Sequence, residues 1–140
     1  MLSFSVELRS GESAYRQVVY AATRAVVAGE LVPGAAFPSV RELSQALKIN
    51  QNTAHKIVAE LVRTGLLEVL PGIGTVVSRA RRATARERRD LLSREVEQLV
   101  VEAKRLGLNR EDVLKAVAAQ WTELFGSAAP GGRSMKRASG

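Results

Sequence analysis

Residues 48 to 61 read KINQNTAHKIVAEL, and two kinds of side chain alternate within them. Ala54, Ile57, Val58 and Leu61 fall at helical spacing and would share one face. The first turn instead carries Asn50, Gln51, Asn52 and Thr53, then His55, with Lys48 and Lys56 to either side. One Asn is enough to cap a helix. Asn and Thr are middling helix formers, so propensity does not explain the rest. Amide side chains pair bidentately with adenine, and Thr bonds to bases or phosphates. A cluster of uncharged hydrogen-bonding tips at one helix start is therefore a candidate for contact with base edges.

Other chemistries have little to build on. Cysteine is absent, which excludes disulfides and thiolate catalysis. His55 is the only histidine, so a metal site built on it would lack companions. The run Gly72-Ile73-Gly74 is too short for a dinucleotide fingerprint, and no helix pattern follows it. No phosphate-cradling loop and no acidic pair with an obvious partner appears. The expectation is no enzyme, no metal and no cofactor.

The elements that must position residues 50 to 56 come from the surrounding pattern. Tyr15, Val18, Val19, Ala22 and Val26 form an apolar stripe, and Gly29 is placed to end that helix. Pro33-Gly34 signals a turn. Ser39 stands three residues before Glu42, the spacing of a capping box, and Val40, Leu43, Ala46 and Leu47 give a short buried face. A brief connection leads to Asn50, which can cap a third helix that Gly65 closes. Leu66 to Leu70 and Thr75 to Val77 read as β-runs joined by Pro71-Gly72-Ile73-Gly74, a hairpin signal. A helix-turn-helix followed directly by a hairpin is a winged helix, in which the start of the second helix of the pair meets the major groove.

The chain length of 140 residues suits one domain, or a small domain with an appendage. A hydrophobic content of 46% is ordinary for a folded protein. The start MLSFSVELRSGES lacks the segments of a signal peptide, and no apolar run approaches the ~20 residues that span a bilayer. A soluble, cytoplasmic protein with no membrane association is expected. The net charge of +7 is unevenly spread: residues 1–78 carry seven Lys/Arg against six Asp/Glu, and most of the excess lies in RARRATARERR, residues 79–89. The case for the first half as a nucleic-acid reader rests on pattern, not on charge.

At this point the chain resembles the winged-helix DNA-binding domain of the GntR superfamily of bacterial repressors. The resemblance covers about residues 13 to 77. It is carried by AYRQVV, GELVPGAAFPSVRELSQAL and NQNTAHKIVAELVRTGLLEVLPGIGTVV, which hold the family's ordered motifs at the right spacing. The Asn50-Gln51-Asn52-Thr53 form and the short C-terminal region are similar to the YtrA-like subfamily, which lacks the larger ligand-binding domain of other members. The resemblance implies that Arg41 contacts a DNA phosphate. It also implies that Asn50, Gln51, Asn52 and Thr53 enter the major groove, that His55 and Lys56 stand where relatives often have arginine, and that Gly72 and Gly74 let the wing tip approach the minor groove. Relatives often have proline at position 51, and basic residues where this chain has Pro71 and Ile73, which implies weaker wing contact with phosphate than in those relatives.

Plainer readings stand beside these. Arg41 can be a solvated charge, Asn50 is a cap in either case, and Gln51 and Asn52 can be exposed polar residues. Thr53 can simply stabilise the helix start, His55 can face solvent, and the glycines can serve the turn alone.

The second half needs a separate role. From about Thr84 one long helix is expected, with Leu92, Val96, Leu99, Ala103 and Leu106 in steps of four and three until Gly107. Asn109 caps a second helix whose stripe is Leu114, Val117, Trp121 and Leu124. Each stripe has one neighbour only, so the hairpin alone encloses too little volume for a core. A second copy would complete a bundle, making Leu92, Val96, Leu99, Leu106, Leu114, Val117, Trp121 and Leu124 a dimer interface. The resemblance agrees, since YtrA-like proteins dimerise through a short helical region.

The fold expected is mainly α with a small β-hairpin, a winged helix-turn-helix followed by a two-helix dimerisation hairpin. Residues 1–78 form the DNA-binding domain, 79–89 a basic linker, 84–125 the dimerisation region and 126–140 a disordered tail. The linker either adds phosphate contacts or is a solvated helix start. The function expected is a dimeric repressor on an inverted-repeat operator, its partners double-stranded DNA and a second copy. The alternative is a winged helix that serves as a protein-interaction module. The sequence names no effector.

Overall fold

A computed structural model of the protein describes residues 2–80 and 83–126. The chain divides into two compact units, residues 1–82 and 83–140. The proposed tail lies outside the described residues except for Gly126, as do Arg81 and Arg82 of the arginine run.

The first unit is a winged helix. Helix α1 spans Ala14–Val27, α2 Val40–Leu47 and α3 Gln51–Arg63, and strands β1 (Leu67–Leu70) and β2 (Gly74–Val77) follow. Ser13 caps α1, accepting from the Arg16 amide. The α2 start is a full capping box: the Ser39 hydroxyl accepts from the Glu42 amide at 3.1 Å, and the Glu42 carboxylate accepts from the Ser39 amide at 2.9 Å. Helices α1 and α3 both end on a glycine with positive φ, Gly29 and Gly65. In each, the two residues after the cap donate back to the last turn, the pattern of a Schellman ending.

The core of this unit is made where the three helices and the hairpin converge. Val18 and Ala22 of α1, Leu43 of α2, Ala54, Ile57 and Leu61 of α3, Leu67 of β1 and Val77 of β2 are all buried. Burying each large side chain among them contributes ~1.5–3 kcal/mol before entropy is counted. Ala46, expected to share the α2 core face, is exposed instead. Eight residues make only two turns, and Leu43 is their one fully buried side chain, with Val40 and Leu47 half-buried against the core.

Two features were not expected. The segment before α2 lies against β2 as a further edge: the Phe37 amide donates to the Thr75 carbonyl and the Val77 amide to the Ala35 carbonyl, both at 2.9 Å. The N-terminal residues are also held down. Phe4 is buried and stacks on Phe37 with ring centroids 5.5 Å apart. The Gln17 amide group donates to the carbonyls of Arg9 and Glu12 and accepts from the Arg9 amide, pinning that segment onto α1.

The hairpin also differs in its loop. Leu70 pairs with Gly74, so three residues join the strands rather than four. The Ile73 amide donates to the Leu70 carbonyl at 3.0 Å. Pro71 then takes the second position of a β-turn and Gly72, with φ +79°, the third, as a type II turn requires.

The second unit holds α4 (Ala85–Asp90), a π-helical turn (Leu91–Glu95), α5 (Val96–Arg105) and α6 (Arg110–Phe125). Thr84 and Asn109 each begin their helices with a capping box, using Glu87 and Asp112. Gly107, with φ +81°, ends α5 in a third Schellman pattern. Sequence periodicity anticipated an uninterrupted α-helix up to Leu106. The π turn widens it by one residue: the Val96 amide reaches the Leu91 carbonyl, five residues back. Leu91 thereby moves toward the line of Val96, Leu99 and Ala103, and Leu92 rotates off it. Their exposures agree, 56% for Leu91 and 71% for Leu92.

Candidate nucleic-acid interface

The turn between α2 and α3 is held by the chain's own hydrogen bonds. Lys48 ends α2 in the left-handed region, φ +56°, where the other helices of this unit use glycine. Ser44 holds the turn from both sides: its carbonyl accepts from the Ile49 amide at 3.1 Å, and its hydroxyl donates to the Ile49 carbonyl at 2.8 Å. The half-buried Ile49 anchors the turn to the core. Neither device was read from the sequence. A lysine gives no sign of positive φ, and a serine within a short helix reads as ordinary surface.

Asn50 then caps α3. Its Oδ1 accepts from the Asn52 amide at 2.7 Å, so that oxygen is committed to the helix. Gln51, Asn52, His55 and Lys56 are exposed, and Thr53 is half-buried. Asn52, His55 and Lys56 follow the i, i+3, i+4 spacing that groups them on one face, while Ala54, Ile57 and Leu61 turn into the core. The helix is thus anchored by its apolar side and presents amide, imidazole and ammonium groups on the other. Arg41, on the first turn of α2, is exposed as well.

Charge reinforces this arrangement. The first turns of α1 and α3 contain no carboxylate, whereas those of α2, α4 and α6 contain Glu42, Glu87, and Glu111 with Asp112. The positive end of the α3 dipole is therefore left uncompensated and favours an anion. Several carboxylates of the unit are occupied: Glu12 pairs with Arg9, Glu30 with Arg24, and Glu42 lies in the capping box. The Arg63 guanidinium donates to both Glu60 oxygens, at 2.9 and 2.6 Å, and holds that carboxyl below the usual carboxylate range. Among the described residues, Arg41, Lys48 and Lys56 have no carboxylate within ion-pair distance.

A shallow groove beside α3 is lined by Tyr15, Thr53, Lys56, Ala59, Glu60 and Arg63. It adds Tyr15, which the sequence reading assigned to the apolar stripe of α1. Gly72 and Gly74 stand at the tip of the β1–β2 hairpin, with φ values of +79° and +120°. Arg79, first of the arginine run, has its guanidinium against the backbone of Gly34, where any side chain would displace it.

In the second unit the apolar side chains find no such cover. Leu92, Val96, Leu99, Leu106, Leu114, Val117 and Trp121 are exposed, Trp121 at 58%, and Leu124 is half-buried. Ala103 is the one buried residue among those described there. Leu99, Val113, Val117, Trp121 and Phe125 line one continuous apolar groove, and Trp121 meets Phe125 edge to face at 5.3 Å. Val113, half-buried at the start of α6, was absent from the expected stripe. Among the described residues no group of His, Asp and Glu could hold a metal ion, and no helix is long and apolar enough to cross a membrane.

Comparison with known proteins agrees with this geometry. The family model for bacterial regulatory proteins of the gntR family matches residues 14–77. The HTH-type transcriptional regulator YhcF of Bacillus subtilis is 34% identical over 112 residues, covering 79% of this chain and 92% of that protein. The HTH-type transcriptional repressor YtrA of the same organism is 32% identical over 107 residues, covering 76% and 82%. In fold, the chain is similar to a transcriptional antiterminator from Listeria monocytogenes, with a TM-score of 0.77 at 22% identity, covering 91% of this chain and 96% of that one.

Proposed function

This chain belongs to the gntR family of bacterial regulatory proteins, and on that premise we propose that it represses transcription as a dimer bound to an inverted-repeat operator. It is a transcription regulator of the helix-turn-helix type. The observation that carries the finer reading is the start of α3: exposed Gln51, Asn52, His55 and Lys56 on a carboxylate-free first turn, with Arg41 exposed on the neighbouring helix.

Asn52 is assigned to base readout, because an exposed carboxamide can pair bidentately with an adenine edge. Gln51 and Thr53 flank it. Asn50 acts chiefly as the cap that orients α3, since its oxygen is already bonded. Arg41 and Lys56 bind phosphate and carry no sequence information. His55 shares the exposed face of α3 with Asn52 and Lys56, and Gly72 and Gly74 shape the wing. The YtrA relative is a repressor by name, which supports occupancy of a promoter as the mode of action.

The apolar side chains of the second unit support dimerisation. Val96, Leu99, Leu106, Leu114, Val117 and Trp121 would be covered by a second copy, with Leu91 more central than Leu92. Two identical readers related by a two-fold axis see two half-sites, hence the inverted repeat.

Selection of bound sequences from a random duplex pool at near-physiological salt tests this function. Enrichment of an inverted repeat is the expected result. Binding without any enrichment, lost as salt rises, would contradict it and favour a winged helix that meets protein.

A further inference from the structure

Positive charge is concentrated where the two compact units join in sequence. Residues 1–78 are close to neutral, with seven Lys/Arg against six Asp/Glu, whereas residues 79–89 hold six arginines and one glutamate. Among the described residues, the arginines of the second unit divide sharply. Arg94, Arg105 and Arg110 each lie within ion-pair distance of a carboxylate, that of Glu95, Glu102 and Glu111. Arg86, Arg88 and Arg89, all on α4, have none, although Glu87 and Asp90 stand on the same helix. The Glu87 carboxylate is taken up by the Thr84 amide and hydroxyl. Arg88 donates to the Ala83 carbonyl at 3.1 Å, which leaves the guanidinium groups of Arg86 and Arg89 without a protein partner among the described residues.

The fold itself does not call for arginine at these positions. Helix α4 buries no residue, and its sequence ARERRD contains no large apolar side chain. Arg86 lies in the first turn, where the helix dipole opposes a positive charge. A face that only had to meet water would be served as well by carboxylates, which that end of a helix favours. Arg86 and Arg89 are three residues apart and share one face, so both can address the same surface.

We propose that Arg86 and Arg89 bind phosphates of duplex DNA next to the α3 contact, making the segment that joins the two units a second, sequence-independent contact with the operator. The inference rests on the operator-binding function proposed above. A guanidinium fork matches two phosphate oxygens with parallel N–H donors. The chain supplies nearness: Val77 to Ala85 is eight residues, at most about 29 Å when fully extended, and one turn of duplex is ~34 Å. The contact also supplies what the first unit lacks. Arg41, Lys48 and Lys56 are cations without a carboxylate, but their unit as a whole is nearly neutral and exerts little general attraction on DNA. Each further phosphate neutralised releases counterions and strengthens binding to any sequence. An acidic protein surface would attract the same groups, but nothing tethers one here, whereas DNA is held by the first unit.

The test measures binding of the full-length chain to its selected operator and to a random duplex across a range of salt concentrations. Arg86→Gln with Arg89→Gln removes both groups and keeps a good helix former at each position. Lys115→Gln, at an exposed site on α6 with no ion pair, removes a charge elsewhere in the same unit. The double variant should lower the salt slope by about two units per protomer on both duplexes and weaken binding by roughly tenfold or more at near-physiological salt. The selected sequence and the sedimentation behaviour should not change, and Lys115→Gln should leave the slope as it is. An unchanged slope in the double variant, or an equal fall per charge in Lys115→Gln, would overturn the contact while the operator-binding function stands. If wild type selects no operator, that function fails, and the slope on the random duplex still decides whether these arginines bind phosphate.

Discussion

In the first unit Leu43, Ile57 and Leu61 are sealed from solvent by three helices and a hairpin. In the second, Leu99, Val117 and Trp121 recur at similar helical spacing and remain open to water. The sequence pattern is alike, and the outcome differs because of layers. A helix stripe is covered when elements pack on it from more than one direction, and an αα-hairpin supplies one direction only. The winged helix carries its own core. The hairpin carries half of one.

The largest effect that would separate these cases is on folding. Ile57→Ala should cost ~2–5 kcal/mol of stability, because it removes a fully buried side chain from the core that α3 shares with α1, α2 and β1. Denaturant unfolding should show that loss at every protein concentration. Trp121→Ala should behave differently, weakening association by ~2 kcal/mol or more while the first unit melts as before. A loss of stability independent of concentration for Trp121→Ala would break the comparison.

Smaller effects sharpen the functional side. Asn52→Ala should cost ~1–3 kcal/mol on the operator and relax preference at one base pair per half-site, as measured by repeated selection. Arg41→Ala should weaken binding to all sequences alike and lower the salt slope by about one unit. The least effect concerns the Glu60–Arg63 pair. Its carboxyl is held low by the Arg63 hydrogen bonds, so its stabilisation is present above the ordinary carboxylate range and lost as pH falls through the lowered folded value. The pair is partly exposed, and ~0.5 kcal/mol is expected. Glu60→Gln should flatten that part of the acid limb of a stability–pH curve.

Much of this molecule was legible because the signals are local. Ser39 and Glu42 specify their capping box within four residues, as Asn50 and Asn109 specify their caps, and Gly29, Gly65 and Gly107 mark helix ends that need positive φ. Gln51, Asn52, His55 and Lys56 are exposed as expected, whereas Thr53 is half-buried.

What escaped depends on contacts distant in sequence or on exceptions to a period. The third edge of the sheet needs Phe37 and Thr75 to meet across thirty-odd residues. Gln17 reads as a polar helix residue until the N-terminal segment folds back onto it. The π turn inserts one residue into a regular stripe, which no count of fours and threes can locate, and so the sequence favoured Leu92 over Leu91. Lys48 takes a conformation that glycine usually takes. Lys48→Gly would relieve ~0.5–1 kcal/mol there.

The claim that the second unit is half of a core is tested most directly by sedimentation equilibrium of the full chain across a wide concentration range. A monomer–dimer equilibrium lying toward dimer, displaced toward monomer by Trp121→Ala, is the predicted result. A wild-type chain that stays monomeric at every concentration would contradict it, and with it the two-fold reading of an operator.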